Sequence, residues 1–451
     1  MRLDGIMAGF KPAPTISEAG VNRVAKVFTE KTVGKSYRWY VLGLLWFCGF
    51  FNYADRQAVN AVFKPIQAEF HLDDTQLGLI GSAFMLVYAS SSPFAGYLVD
   101  RVSRRTLIAV GLGFWSLICA ATGLVRSFPQ LIFLRAAEGL GESFYFPASM
   151  TLLADYHPPA TRSRAMSIHQ TSVYLGSAGG VVLGGFLGER FGWQSPFLVL
   201  GLTGMVFAGW LATQLVEPKR GQSEPDLVET ITGSSPAVIE QQPSLLANLA
   251  EILTTPAALA LLGVFVGANF VAAVFLTWLP LFIGRQFSLG LTASSLTSTV
   301  WPLASLFGAL GGGFLADIAS RRPGGRIRIQ AFSLMLGSPF VFATGWAGSI
   351  PVLVLVLAAV GLCKGAYDAN IFASLYDVIR PPLRGTAAGL MNSVGWTGGF
   401  LAPTVVGIMS DHFGLGLAIA STAVVYLLAG LLAIGASILA ARQQAKSWTS
   451  V

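Results

Sequence analysis

The chain has 451 residues, 53% of them hydrophobic and only 11% charged, and its mean hydropathy is +0.63. Soluble domains carry about 25% charged residues, so this composition argues against a soluble enzyme, a disulfide-stapled secreted domain and a disordered chain. The formal net charge of +7 reads as basic loops orienting a membrane protein rather than as a nucleic-acid surface.

In chain order, residues 1–37 form a polar tail with no apolar run long enough for a signal peptide. Apolar stretches able to cross a bilayer, which takes about 20 residues each, follow at 39–63, 76–99, 106–124, 129–155, 164–187 and 193–216. A polar segment at 217–252, rich in Glu, Gln, Ser and Pro, comes next. Six further stretches lie at 255–283, 290–316, 327–347, 350–376, 385–410 and 416–440. The reading is an all-α membrane protein of 12 transmembrane helices, spans 1 to 12, in two pseudo-symmetric bundles. These occupy 38–216 and 253–441, with a cytoplasmic linker at 217–252 and a cytoplasmic tail at 442–451.

With both termini inside, 22 of the 29 Lys and Arg residues fall on the cytoplasmic side. Four (Lys64, Arg126, Arg190, Arg285) fall outside, and Arg56, Arg135 and Lys364 remain within spans. This asymmetry predicts the orientation, and a bacterial-type plasma membrane is the expected location. Cys48, Cys119 and Cys363 lie in apolar segments as small packing residues. The histidines (His71, His157, His169, His412) are scattered, so no metal or other cofactor is expected. Gly34-Lys35-Ser36 lacks the glycine a phosphate loop needs at position 29, which is Thr29.

The halves repeat. Gly96-Tyr97-Leu98-Val99-Asp100-Arg101-Val102-Ser103-Arg104-Arg105 after span 2 matches Gly313-Phe314-Leu315-Ala316-Asp317-Ile318-Ala319-Ser320-Arg321-Arg322 after span 8, offset by 217 residues. Arg190-Phe191-Gly192 matches His412-Phe413-Gly414 at an offset of 222, and Pro158-Pro159 matches Pro381-Pro382 at 223. Parallel six-helix repeats are an established transporter architecture, for which the major facilitator superfamily is the standing example.

On the repeated Gly-x-Leu-x-Asp loop the chain resembles that superfamily over 38–441. Asn52-Tyr53-Ala54-Asp55-Arg56-Gln57, Asp74-Thr75-Gln76-Leu77-Gly78-Leu79, Gly139-Leu140-Gly141-Glu142 and Leu153-Ala154-Asp155-Tyr156 resemble its bacterial Spinster-type branch. Ser82-Ala83-Phe84 with Tyr88-Ala89, and Glu142 with Phe146-Pro147, resemble the anion:cation symporter branch of sialin-like, galactonate and hexuronate carriers. The resemblance implies a secondary transporter, not an enzyme, that works by alternating access and operates as a monomer.

Charges within spans are costly, by roughly 2.5–3.5 kcal/mol on insertion scales, and usually face a cavity or a partner. Span 1 carries Asp55 and Arg56. On span 4, Glu138 and Glu142 lie about 300° and 340° around the helix from Arg135, so all three share one face. Counting about 1.5 Å per residue, Asp55 lies about 12 Å and Arg135 about 9 Å below the outer boundary, a depth that allows them to pair. Glu142, about 20 Å down, is nearer the midplane, where transporter substrate sites form.

A carboxylate beside Arg⁺ stays ionised, and when that Arg turns to an anionic substrate the carboxylate is free to take a proton. Asp55, Glu142 and Glu138 are therefore the proton-coupling candidates, and Arg56 and Arg135 the substrate-binding ones. Related proton-driven anion carriers use an Asp-Arg pair on span 1 and an Arg and Glu seven apart on span 4, and positions 55, 56, 135 and 142 match. The plainer alternative is a fixed salt-bridge network.

Span 10 places Lys364 about 21 Å from its outer end, with Tyr367 and Asp368 alongside. Lys364 and Tyr367 are substrate-contact candidates, against the alternative of an internal Lys364–Asp368 pair. Asn392 and Trp396, with Asn269, are further candidates. Asp100, Arg101, Arg104 and Arg105, with Asp317, Arg321 and Arg322, are expected to gate, with Arg162 and Arg164 as possible partners. The glycine clusters of spans 5, 8 and 11 allow close helix approach; the equivalent placement of those in spans 5 and 11 points to the interface between halves, with plain packing an equal alternative for most of them.

The reading is thus proton-coupled symport of a small organic anion, a sugar acid or other carboxylate; the expected partners are that anion, a proton and the bilayer, with no nucleic acid. A Spinster-type carrier of lysophospholipid or another amphiphile is the alternative, followed by a non-transporting membrane sensor.

Overall fold

The computed structural model describes residues 35–99, 101–220, 222–223, 245–380 and 383–448. Asp100, the N-terminal tail and most of the linker lie outside them.

In the first half, span 1 is Lys35–Ala61 continued by Phe63–Phe70, span 2 is Asp74–Val99, and span 3 is Arg104–Thr122. Span 4 is Phe128–Glu142 with Tyr145–Tyr156, span 5 is Pro159–Phe191 and span 6 is Ser195–Gln214. In the second half, a helix at Leu245–Thr254 leads into span 7 (Pro256–Gln286) and span 8 (Leu291–Ser298 with Val300–Ala319). Span 9 (Gly325–Thr344), span 10 (Ile350–Asp368 with Ile371–Val378), span 11 (Arg384–Phe413) and span 12 (Leu415–Ser421 with Ala423–Trp448) complete it. Among the described residues every regular element is helical.

Nine helical stretches among the described residues are long and apolar enough to cross a membrane, those of spans 2, 3, 5 to 10 and 12. Spans 1, 4 and 11 are helical but outside this set. Span 1 and span 4 carry the charges discussed below, span 4 is interrupted, and span 11 is diluted by glycine. Large apolar side chains such as Val206 (76% exposed) and Leu355 (71%) cover the outer faces, as a lipid-facing surface requires.

The interruptions have local causes. Pro147 lacks an N–H and its ring crowds the carbonyl four residues earlier, that of Ser143, where span 4 breaks. In span 10 the Asn370 side chain donates to the carbonyls of Ala366 (2.9 Å) and Gly312 (3.2 Å), competing with the helix ladder at its break. The repeated Phe-Gly after spans 5 and 11 is a turn: Gly192 (φ 89°) and Gly414 (φ 82°) adopt the left-handed region that glycine tolerates.

Most of the clustered glycines pack within a half, the packing alternative, rather than between halves. A Cβ on Gly180 would stand 2.3 Å from the Ala54 carbonyl of span 1, and one on Gly308 2.2 Å from the Leu362 carbonyl of span 10. Gly185, facing Ser295, and Gly407, facing Asp74, do lie between halves. Helix periodicity alone does not say which neighbour a glycine meets.

The halves meet on the side of loop 1–2. There Gly78 abuts Pro403, and Ser82 donates to the Phe400 carbonyl (2.5 Å) while accepting from Thr404 (2.8 Å). Deeper in, Tyr88 of span 2 meets Trp396 of span 11 with ring centroids 5.1 Å apart. Among the described residues, the hydrogen bonds and ring contacts that join the halves all lie at this contact or between it and loop 1–2. The cleft is thus closed towards loop 1–2 and open towards loop 2–3.

Candidate functional site

The closed end of the cleft is floored by charge. Arg56 donates from Nε (3.1 Å) and Nη2 (2.7 Å) to the same oxygen of Glu142, joining span 1 to span 4. Arg135 pairs with Glu138 one turn along span 4 and donates to the Arg56 carbonyl at 3.4 Å. Asp55, Arg56, Arg135, Glu138 and Glu142 are all at most 5% exposed. Helical spacing places the three span 4 groups on one face, as expected.

The pairing differs from the one depth suggested. Asp55 does not pair with Arg135; both Asp55 carboxyl oxygens are buried with no hydrogen-bond partner among the described residues. Glu138 takes Arg135 because it lies on the same helix at i+3, where little order need be lost to form the pair. The cluster therefore holds two guanidinium groups and three carboxyl groups, one of them alone.

Arg56 is also enclosed by aromatic rings. Its guanidinium carbon lies 4.6 Å from the centroid of Tyr53, 4.7 Å from Phe84, 4.8 Å from Tyr88 and 5.8 Å from Trp396. Such contacts favour a planar cation. Trp396 is the member contributed by the second half, so Arg56 sits where the halves part. Tyr53, Phe84 and Tyr88 were not among the residues singled out for binding; aromatic side chains in a span look like packing until the partner cation is placed.

Across the cleft, Lys364 is engaged by Asp368 on its own helix, the plainer of the two readings. Tyr367 is fully buried in the core of the second half, facing away from any solute in the cleft in this conformation. Asn392 is exposed, and Asn269 donates to the Phe265 carbonyl (2.9 Å).

Of the loop charges expected to gate, Arg101, Arg104 and Arg105 are bound within the first half, and Asp100 lies outside the described residues. Arg104, 2% exposed, bonds Asp155, Glu217 (2.8 Å) and the Pro218 carbonyl (3.3 Å). Arg105 donates to the Ala212 carbonyl (2.6 Å), and Arg101 stacks on Tyr97 at 3.5 Å. Arg162 donates to the His157 carbonyl (3.3 Å) and Arg164 lies over Trp39 (5.7 Å). In the second half Arg321 and Arg322 are exposed.

There the counterpart of the Arg104–Asp155 pair is Arg326 with Asp377 (3.2 Å) and Asp317 (3.4 Å). Both members stand 222 residues on. The loop after span 8 is longer, so the motif register that matched Arg104 to Arg321 slips before span 9 begins. The offset of the later repeats was the signal that could have found Arg326.

Residues 45–403 match the family model described as Major Facilitator Superfamily; the chain belongs to that superfamily, whose members are transporters and not enzymes. It is 25% identical over 402 residues to a protein of Bacillus subtilis (strain 168) described as "Probable galactarate/D-glucarate transporter GudP", covering 84% of this chain and 87% of that one. It is 24% identical over 410 residues to the hexuronate transporter of the same organism, covering 88% and 92%. Among solved structures it is similar to a bacterial homologue of the human lysosomal transporter Spinster in an inward-facing, unoccupied conformation. That likeness has a TM-score of 0.81 at 23% identity and covers 91% of this chain and 99% of the other, and it bears on the fold. Both resemblances read from the sequence are thus met, one in sequence and one in shape.

Proposed function

We propose that this transporter carries a small organic anion, a hexuronate- or aldarate-like sugar acid, into the cell together with protons. The observation that carries the reading is the buried set of two guanidiniums and three carboxyls at the closed end of the cleft. Loop 2–3 and both termini lie on the cytoplasmic side of the plasma membrane, as the basic residues indicate.

An ionised carboxylate with no partner is costly to bury, so Asp55 carries a proton in this state and the cluster is neutral overall. Arg56 holds Glu142 through one oxygen only. A substrate carboxylate offers the guanidinium a bidentate alternative, and Glu142, released, takes a proton. Charge is then balanced again before the halves rock. Trp396, Asn392 and Lys364 supply contacts from the second half, with Lys364 exchanging Asp368 for the anion. The relatives that transport sugar acids support the substrate class.

The test is accumulation in proteoliposomes under an inward-directed proton gradient. Labelled glucuronate or galactarate is expected to rise above its external concentration and to collapse on adding a protonophore. Thermal stabilisation by lysophospholipid, with no stabilisation or flux for any sugar acid, would overturn the reading.

A further inference from the structure

We propose that Glu189 and Asp411 are a matched pair of latches that hold the loop 1–2 side shut, each by capping a helix of the opposite half. Asp411, near the end of span 11, accepts from the N–H groups of Asp74 and Thr75 (both 2.9 Å) and from the Thr75 hydroxyl (2.5 Å). These are the first residues of span 2. Glu189, near the end of span 5, accepts from the N–H of Thr292 (2.8 Å) and from its hydroxyl, at the start of span 8.

The two carboxylates stand 222 residues apart and the two threonines 217. These are the offsets that relate the loops of the two halves, so the latches are copies of one device. Each half supplies one carboxylate and one helix start, and each seam closes on the other half's cap.

The first N–H groups of a helix have no partner within it and attract a negative charge. In a single helix the residue just before it usually serves. Here the local residues leave the N–H groups of Asp74, Thr75 and Thr292 to the opposite half. Gly290, before span 8, has no side chain to offer, and Asp73, before span 2, bonds the N–H of Gln76 (2.7 Å). Opening the seam therefore leaves the N–H groups of Asp74, Thr75 and Thr292 without these acceptors, while Asp73 still caps Gln76.

The seams are unequal. Asp74 also pairs with Arg285 of span 7 (2.7 and 2.6 Å) and accepts from Ser410 (2.5 Å) and Gln67 (3.0 Å). At the matching place in the second half stands Leu291. The start of span 2 thus carries an ion pair, to span 7, that has no counterpart at the start of span 8 among the described residues. The inference rests on alternating access but on neither the substrate nor the proton.

The test needs no substrate. Cys48, Cys119 and Cys363 are replaced, and Ser82→Cys, buried in the closed seam, is probed with a membrane-impermeant maleimide added from the loop 1–2 side. Asp411→Ala and Glu189→Ala are each expected to raise the labelling rate about fivefold, the worth of one carboxylate cap. Together they are expected to multiply, as distant sites do. A second reporter, Asn392→Cys in the open end of the cleft, is expected to become slower to label from the other side. An unchanged Ser82→Cys rate in the double variant, or a rise at both reporters as in a loosened fold, would overturn the proposal.

Discussion

Arg56 and Glu142 are joined through a single carboxylate oxygen, Oε2, while Oε1 of Glu142 is buried without a partner among the described residues. Two donors on one oxygen leave the pair tight in distance but incomplete in geometry. An ion pair that is half satisfied in a low-dielectric site is one a better acceptor can displace.

Glu142→Gln keeps the shape of the side chain and removes the proton. The expected outcome is loss of uphill accumulation with substrate exchange retained, measured in proteoliposomes with and without an imposed proton gradient. Continued concentration of substrate would show that coupling resides elsewhere.

For Arg56, the conservative replacement is the informative one. Lysine keeps the charge but loses the planar fork and the fit among Tyr53, Phe84, Tyr88 and Trp396. Arg56→Lys is expected to weaken substrate binding by about tenfold, read as a rise in the apparent KM for uptake.

Glu217 ties the end of span 6 to the start of span 3. Burial raises its carboxyl pKa, but donors from the Arg105 N–H, the Arg104 side chain and Ser103 outweigh this and hold it below the ordinary 4.5. Because the folded value is the lower one, its stabilisation is present above about pH 4.5 and is lost as pH falls through the folded value. Glu217→Gln is expected to cost about 1–3 kcal/mol, seen as a lower melting temperature in detergent at pH 7 and a smaller gap from the parent in acid.

Arg326 and Arg321 separate the structural repeat from the motif repeat. Arg326→Ala removes the bonds to Asp377 and Asp317, whereas Arg321 is exposed. The expected result is a measurable fall in thermal stability for Arg326→Ala and a change within about 0.5 kcal/mol for Arg321→Ala.

Gly180→Ala places a methyl 2.3 Å from the Ala54 carbonyl, while Gly209→Ala meets nothing within 4 Å. The first is expected to destabilise by about 1–3 kcal/mol through forced separation of spans 1 and 5. The second, in an open position of span 6, is expected to be neutral or slightly stabilising.

Much of the architecture was legible because the bilayer makes composition speak for position. Asp55, Arg56, Arg135, Glu138 and Glu142 stood out as charges where charge is costly, and helical spacing put three of them on one face. Their partners were not legible. Depth along two separate helices allowed Asp55 with Arg135, whereas the i+3 neighbour Glu138 captured that arginine and left Asp55 alone. Tyr367 was on the right helix at the right depth yet turned into the core. The residues that close the seams, Asp74, Arg285, Glu189 and Asp411, looked like ordinary loop and helix-end charges. Nothing local distinguishes a carboxylate that caps a helix in the other half from one that faces water.

Hydrophobic runs, basic loops and the doubled motifs by themselves determined an all-helical, two-part membrane transporter, because burial in lipid leaves few other ways to satisfy a backbone. Which carboxylate meets which arginine, which glycine touches which helix, and which end of the cleft is shut were decided only by the packing of spans. Those choices depend on rotations and contacts between helices far apart in the chain, and periodicity along one helix carries no record of its neighbour.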